Sequence, residues 1–344
     1  MVSIDITKFI LSLLVVLLHI NGTIFQGIPV IDTINQWFGA FAVPCFLVYS
    51  GYFFGLSTLK RPLVTVSWQT VKRLVILSLV YQSIWLIFLM DNGSIITRFI
   101  ASDDRFMFII DCLYHLFCDG LYQFWYITAA LMGIILMAVC IHFKVQRFGF
   151  IVSVMMFICA ILISTWWIPG ISEALMHMVK PMDIVMENVA QSGLCAWIFL
   201  WIGYGYSHHR SWFDHYRYSL FGLTIVLTVV EITIYCVGYG HALSLWMVSP
   251  LVSLMVLMLT VHHPTNIPRR YGLWLRYAST LIYCIHYQLV IVFSNCFTQG
   301  IAIYHPLLTP LMYFSLLGLI VIGIEYTITR LTSHNRHHWL TYLF

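Results

Sequence analysis

Charged residues are scarce in this 344-residue chain, where Asp, Glu, Lys and Arg together make up only 9% of the sequence. A soluble globular protein carries about 25% charged residues, because its surface has to be hydrated. Hydrophobic residues make up 61% of the chain, and the mean hydropathy is +0.89. The scarcity of charge therefore excludes a water-soluble fold and indicates a protein of the lipid bilayer.

The sequence also lacks features that would divide it or add other chemistry. It has no Ser-, Gly- or Pro-rich linker and no internal repeat, so a single membrane-embedded domain over 1–344 is expected, with no appended soluble domain. It has no CxxC or His-x-His arrangement, so no metal site is expected. The net charge of +4 comes from basic residues at the ends of apolar segments and does not indicate nucleic-acid binding.

Apolar stretches of about twenty residues, each long enough to cross the hydrocarbon core as a helix, follow one another along the chain. There are ten, at 4–24, 35–57, 71–91, 121–142, 148–168, 189–207, 217–238, 242–262, 273–297 and 307–329. No small-residue cleavage site follows the first stretch, so we expect it to be retained rather than removed as a signal peptide. The sequence predicts an all-α polytopic membrane protein with about ten transmembrane helices.

The basic residues near the ends of these stretches indicate the orientation. With both termini in the cytoplasm, the cytoplasmic side holds 14 Lys and Arg residues, whereas the outer side holds only Arg98, Arg105 and Lys180. Positive charge collects on the cytoplasmic side of membrane proteins. We therefore predict cytoplasmic N and C termini, in agreement with an even number of spans.

A stripe of polar side chains runs along one face of the first apolar stretch. Lys8 and His19 are eleven residues apart, which is three helical turns, and Asp5 and Ser12 follow the same stripe. An ionisable group at membrane depth costs about 2.5–3.5 kcal/mol on insertion scales, so such a stripe favours a functional role. It suits a buried reaction path or a transport path.

Other polar residues occur inside later apolar stretches. Ser279, Tyr283 and His286 share a helical face in the ninth stretch, and Glu231 and Glu325 lie in the seventh and tenth. Each could act directly in the function. Alternatively, each serves only to hydrogen-bond a neighbouring helix and stiffen the bundle. The sequence leaves both the functional and the structural role open.

These residues resemble the motifs of acyltransferase family 3, a family of integral membrane proteins. Its first helix carries an Asp, a basic residue three positions on and a His eleven positions later, as Asp5, Lys8 and His19 do here, with Lys8 where Arg is common. Further similarities follow in the family's order along the chain. They are Pro44 through Ser50-Gly51-Tyr52, the basic pair Lys72-Arg73, the aromatic run Phe124-Trp125-Tyr126, and Tyr283-Cys284-Ile285-His286.

The resemblance implies a multi-pass enzyme of the bacterial inner membrane. It would transfer an acyl group, usually acetyl, from cytoplasmic acetyl-CoA as co-substrate to a hydroxyl of a cell-envelope glycan. The O-antigen of lipopolysaccharide or another lipid-linked polysaccharide is such an acceptor. From these motifs and the other polar residues together we predict three sets of roles. Catalysis is assigned to His19, His286 and Tyr283, with His19 as general base, and donor binding to Lys8, Lys72, Arg73 and Arg276. Lining of the substrate path is assigned to Asp5, Ser12, Ser50, Trp125, Tyr126 and Glu231.

Two other classes of protein are weighed against this enzyme. A transporter or flippase of a lipid-linked sugar would also use a polar track, although the chain has no repeated halves and no matched pair of Gly- or Pro-broken helices. A membrane scaffold would have little reason to place Lys8 and His19 on one stripe. Consumption of a thioester by the protein separates the enzyme from both alternatives.

Overall fold

The computed structural model describes residues 1–21, 29–91, 106, 124–164, 193–234, 247–300 and 308–333. Within these ranges the chain is helical and contains no strand. The helices are α1 (Val2–Asn21), α2 (Pro29–Thr58), α3 (Leu63–Asp91), α4 (Trp125–His142), α5 (Gln146–Ser164), α6 (Gly193–His208), α7 (Arg210–His215), α8 (Arg217–Ile234), α9 (Ser249–His262), α10 (Arg269–Gly300) and α11 (Leu308–Ser333).

Every predicted apolar stretch overlaps one of these helices, and α7 is an additional short helix of 6 residues. The all-α prediction is therefore confirmed for the described part of the chain. Helices α1, α2, α3, α4 and α8 each contain a segment long and apolar enough to cross a membrane, which makes 5 candidate spans among the described residues. The count of ten crossings and the cytoplasmic termini stay predictions.

The outer surface of α8 has the character expected of a lipid-facing helix. Ile225 and Val226 are 60% and 59% exposed, and Val229 and Val230 lie on the same helix with about half their surface exposed. Such an apolar surface would promote aggregation in water, whereas hydrocarbon chains cover it without cost. The exposed side of this helix thus agrees with the membrane location inferred from composition.

The chain folds into two compact units. The first unit comprises Met1–Val43 and Leu259–Phe344, and the second comprises Pro44–Met258. Nothing in this division tests whether 1–344 acts as one domain, which stays a prediction.

In the first unit, α1 packs lengthwise along α10, and α11 packs on α10. Near their beginnings, Gly272 of α10 lies against Val2 of α1. Near the end of α1, His19 meets His286, which lies about halfway along α10. The two helices therefore run in the same direction, as the first and ninth spans of the predicted topology would.

In the second unit, α2 and α6 approach until their backbones touch. A Cβ at Gly51 would collide with the carbonyl oxygen of Leu200, and a Cβ at Gly203 would collide with the carbonyl oxygen of Val48. Small residues permit such close packing between membrane helices, where dispersion forces replace the hydrophobic effect. The glycines therefore fix the part of α2 that carries Ser50.

Candidate active site

Two histidines from the parallel helices α1 and α10 lie ring against ring. The ring centroids of His19 and His286 are 5.1 Å apart, and their planes are inclined by 39°. His19 is half-buried, whereas His286 is fully buried. The pair therefore joins a partly accessible imidazole to a second one that solvent does not reach.

The surroundings of His286 determine which of its nitrogens carries the proton. Nδ1 lies 3.0 Å from the carbonyl oxygen of Ile282 and 2.8 Å from that of Tyr283. Since carbonyl oxygens only accept hydrogen bonds, Nδ1 is the protonated nitrogen and Nε2 of the neutral ring keeps its lone pair. This Nε2 is buried and has no hydrogen-bond partner among the described residues. His286 therefore holds an oriented acceptor next to His19.

Two tyrosines of α10 complete the surroundings of the histidines. The ring centroid of Tyr283 lies 6.1 Å from that of His286. The ring of Tyr287 meets His19 nearly edge to face, with a centroid distance of 5.1 Å and an interplanar angle of 73°. Tyr287 was not predicted from the sequence, although its spacing of four residues from Tyr283 puts both on one helical face. His19 thus packs against two consecutive residues of α10.

A third tyrosine, Tyr313 of α11, was also missed. Its hydroxyl donates a 2.7 Å hydrogen bond to the carbonyl oxygen of His286, and its ring packs against Phe293 with centroids 5.5 Å apart. Tyr313 is completely buried. A buried phenol needs an acceptor, but the sequence cannot tell which helix supplies it.

Near the beginnings of α1 and α10, Asp5 and Arg276 form a bidentate ion pair. Nε of Arg276 donates to Oδ1 of Asp5 at 2.9 Å, and a terminal guanidinium nitrogen donates to Oδ2 at 3.1 Å. Asp5 is buried, while the Arg276 side chain keeps 36% of its surface exposed. This parallel geometry is the strongest form of a carboxylate–guanidinium contact. It uses two of the five N–H donors of Arg276, whose side chain is partly exposed beside the buried carboxylate.

Lys8 lies one turn after Asp5 on α1 and is half-buried. The charged end and the histidine end are well separated along the helices. Asp5 and His19 are fourteen residues apart, which is about 21 Å at 1.5 Å per residue, and Arg276 and His286 are ten residues apart, or about 15 Å. The first unit therefore carries two polar clusters on one pair of helices. We call Asp5, Lys8 and Arg276 the charged station, and His19, Tyr283, His286 and Tyr287 the histidine station.

The second unit brings two other predicted site residues together. The Ser50 hydroxyl lies 3.2 Å from the Tyr126 hydroxyl and also donates to the carbonyl oxygen of Phe46 at 2.9 Å. Trp125 begins α4 and is half-buried. Lys72 and Arg73 are exposed on α3, where they can meet an anion or lipid headgroups.

Two residues predicted to line the path, Glu231 and Ser12, form hydrogen bonds to the backbone. Both carboxylate oxygens of Glu231 accept backbone hydrogen bonds, from the N–H of Met247 at 2.7 Å and of Val248 at 3.2 Å, just before α9 begins. The buried Ser12 hydroxyl donates to the carbonyl oxygen of Phe9 at 2.7 Å. These contacts favour a structural role for both residues, and their place on a substrate path stays a prediction.

The described residues contain no group of three or more His, Cys, Asp or Glu side chains arranged to hold a metal ion.

A sequence model of acyltransferase family 3, described as an acyltransferase domain, matches residues 1–330 of the chain. The matched range includes every residue named in the two stations above. No curated protein and no solved structure matches the chain.

Proposed function

Because the chain belongs to acyltransferase family 3, we propose that it is a membrane O-acetyltransferase of the bacterial inner membrane. It moves an acetyl group from cytoplasmic acetyl-CoA to a hydroxyl of a cell-surface glycan, such as O-antigen or another lipid-linked polysaccharide. The observation that carries the proposal is the contact of His19 with His286, whose Nε2 is a buried acceptor. Acyl transfer to an alcohol needs a base close to the reacting hydroxyl, and the His19 imidazole is that base in the proposal.

The charged station suits the donor. Coenzyme A brings phosphates to the cytoplasmic end of the spans, and its pantetheine arm extends the thioester away from them. Lys8 and the other N–H groups of the partly exposed Arg276 side chain can bind phosphate, and Asp5 holds the Arg276 guanidinium in place. Lys72 and Arg73 add positive charge on α3.

The histidine station suits the transfer step. The acceptor hydroxyl oxygen attacks the thioester carbonyl carbon while His19 takes the hydroxyl proton, so that the new C–O bond forms without a free alkoxide. The C–S bond then breaks, the acetyl group stays on the acceptor, and the thiolate of coenzyme A takes up the proton that His19 carries, which regenerates the base. The lone pair on Nε2 of His286 stabilises the protonated His19 ring, and Tyr283 and Tyr287 limit the movement of both rings.

The proposal is tested with purified protein, acetyl-CoA and candidate glycans, by measuring release of free thiol and acetylation of the glycan. Wild-type protein is expected to release thiol in step with acetylation, and His19→Ala to stop both. His142→Ala is the matched control, because His142 is an exposed histidine at the end of α4. Movement of a lipid-linked sugar without thioester consumption would instead identify a transporter or flippase.

The acceptor is best identified in cells. Mass spectrometry of envelope glycans from cells with and without the gene is expected to show an acetyl group that only the wild type adds. Unchanged glycans in both strains would remove the cell-surface glycan from the proposal.

A further inference from the structure

We propose that Tyr313 of α11 is a positioning residue for acyl transfer, which acts by holding the turn of α10 that carries His286. The inference rests on the proposed function, because it gives Tyr313 its effect through a catalytic histidine. None of the family motifs lies on α11, so the assignment of Tyr313 depends on the geometry alone.

Hydrogen bonds fix His286 on two sides. Its Nδ1 is bonded to the carbonyl oxygens of Ile282 and Tyr283 in the preceding turn, and its own carbonyl oxygen accepts the Tyr313 hydroxyl at 2.7 Å. The first contacts set the orientation of the ring relative to α10. The contact from Tyr313 ties α10 itself to the neighbouring helix.

Tyr313 touches α10 at two points on one face. The hydroxyl contacts residue 286, and the ring contacts Phe293 two turns further along. Such a contact resists rotation of α10 about its own axis. With the Cα atoms at a radius of about 2.3 Å and the imidazole extending outward to roughly 6 Å, a rotation of about 10° moves Nε2 by about 1 Å.

Displacement on this scale matters for the reaction but little for folding. A misplacement of about 1 Å can lower a rate by up to about 10²-fold, because the reacting atoms leave the attack geometry. The carbonyl of residue 286 can still accept its usual bond within α10 when the tyrosine hydroxyl is removed. The Tyr313 hydroxyl is therefore expected to affect turnover more than stability.

Tyr313→Phe keeps the ring contact with Phe293 and removes only the hydroxyl. We expect kcat to fall about tenfold, with the KM for acetyl-CoA unchanged. Tyr206→Phe is the matched control, because Tyr206 is also completely buried and donates to Oδ1 of Asp214 at 3.3 Å in the other compact unit. The control is expected to keep the wild-type kcat. Equal losses in both variants would mean a general effect of losing a buried hydroxyl and would overturn the inference.

A double-mutant cycle with His286→Ala separates positioning from general support. If Tyr313 acts through His286, adding Tyr313→Phe to His286→Ala lowers kcat by less than about twofold, because the group being positioned is already absent. A full further tenfold loss, or a wild-type kcat in Tyr313→Phe alone, would overturn the inference.

A second measurement does not depend on turnover. The rate of carbethoxylation of His286 by diethyl pyrocarbonate, followed by mass spectrometry, is expected to rise about threefold in Tyr313→Phe and to stay at the wild-type rate in Tyr206→Phe. If the wild type consumes no thioester, the proposed function fails while the labelling rates still decide whether Tyr313 holds His286. Equal labelling in all three proteins would contradict the positioning role.

Discussion

The two ends of the α1–α10 helix pair differ in how their polar groups are satisfied. At the charged end, both oxygens of Asp5 receive hydrogen bonds from Arg276. At the histidine end, Nε2 of His286 is buried without a hydrogen-bond partner in the described part of the chain. Both ends place polar atoms in a helix pair that is otherwise largely apolar.

This difference distinguishes a carboxylate that is satisfied by an ion pair from an imidazole nitrogen that is left without a hydrogen bond among the described residues. A buried polar atom without a partner costs about 1–3 kcal/mol, and folded proteins keep few of them. Under the proposed function, the lone pair on Nε2 of His286 accepts from a proton donor, the protonated His19 ring, that is present only during the reaction. The Asp5–Arg276 pair needs no such donor, so we expect it to stabilise the packing of α1 on α10 and, under the proposed function, to shape the donor site.

The largest effect is expected from removing the base. His19→Ala should lower kcat by about 10³-fold, because general base catalysis contributes about 10²–10⁴-fold. The thermal midpoint should change little, since the ring is only half-buried. Thiol release under saturating acetyl-CoA measures the rate, and a calorimetric scan in detergent measures the midpoint. A variant with more than half of the wild-type kcat would show that another group is the base.

His286→Leu should have the next largest effect on kcat. It tests whether the histidine end of the helix pair serves activity and not stability. We expect kcat to fall about 10²-fold, because the partner of His19 is lost. The thermal midpoint should stay the same or rise, because an apolar side chain of similar size replaces an unsatisfied nitrogen. A strongly lowered midpoint would instead mean that the histidine serves mainly to support the bundle.

Asp5→Ala should produce the opposite pattern. It removes the carboxylate that holds Arg276, so we expect the KM for acetyl-CoA to rise about tenfold while kcat at saturation is retained. The free energy of unfolding should fall by about 1–3 kcal/mol, because a half-buried guanidinium loses its partner. Initial rates over a range of acetyl-CoA concentrations and urea unfolding measure the two quantities. A loss of kcat with unchanged KM would place Asp5 on the reaction path instead.

Much of this arrangement could be predicted from the sequence. The helices follow from apolar length, which is a local property, and the stripe of Asp5, Lys8 and His19 follows from helical periodicity. The sequence pointed to His19 and His286 separately, but it did not predict that the two rings lie against each other.

Contacts that depend on the rotation of one helix against another could not be predicted. Tyr287 and Tyr313 are ordinary tyrosines in apolar stretches, and only the packing of α10 with α1 and α11 brings them to the histidines. Glu231 could not be assigned either, because its backbone partners lie sixteen and seventeen residues away and precede the next helix. Periodicity shows which face of a helix is polar but not what that face meets.

The smallest effect is expected at Gly272, where α10 leaves room for the first turn of α1. A Cβ there would lie 3.0 Å from Val2 and 3.3 Å from Oδ2 of Asp5, closer than an ordinary contact. Gly272→Ala should shift Asp5 by tenths of an ångström and raise the KM for acetyl-CoA about threefold. Alanine also favours a helix by about 1 kcal/mol over glycine, which offsets the crowding in the free energy of unfolding.

Gly318→Ala in α11 is the control, because a Cβ there meets nothing within 4 Å. That control should gain stability at an unchanged KM, whereas an equal KM in both variants would mean that the charged end tolerates displacement of Asp5.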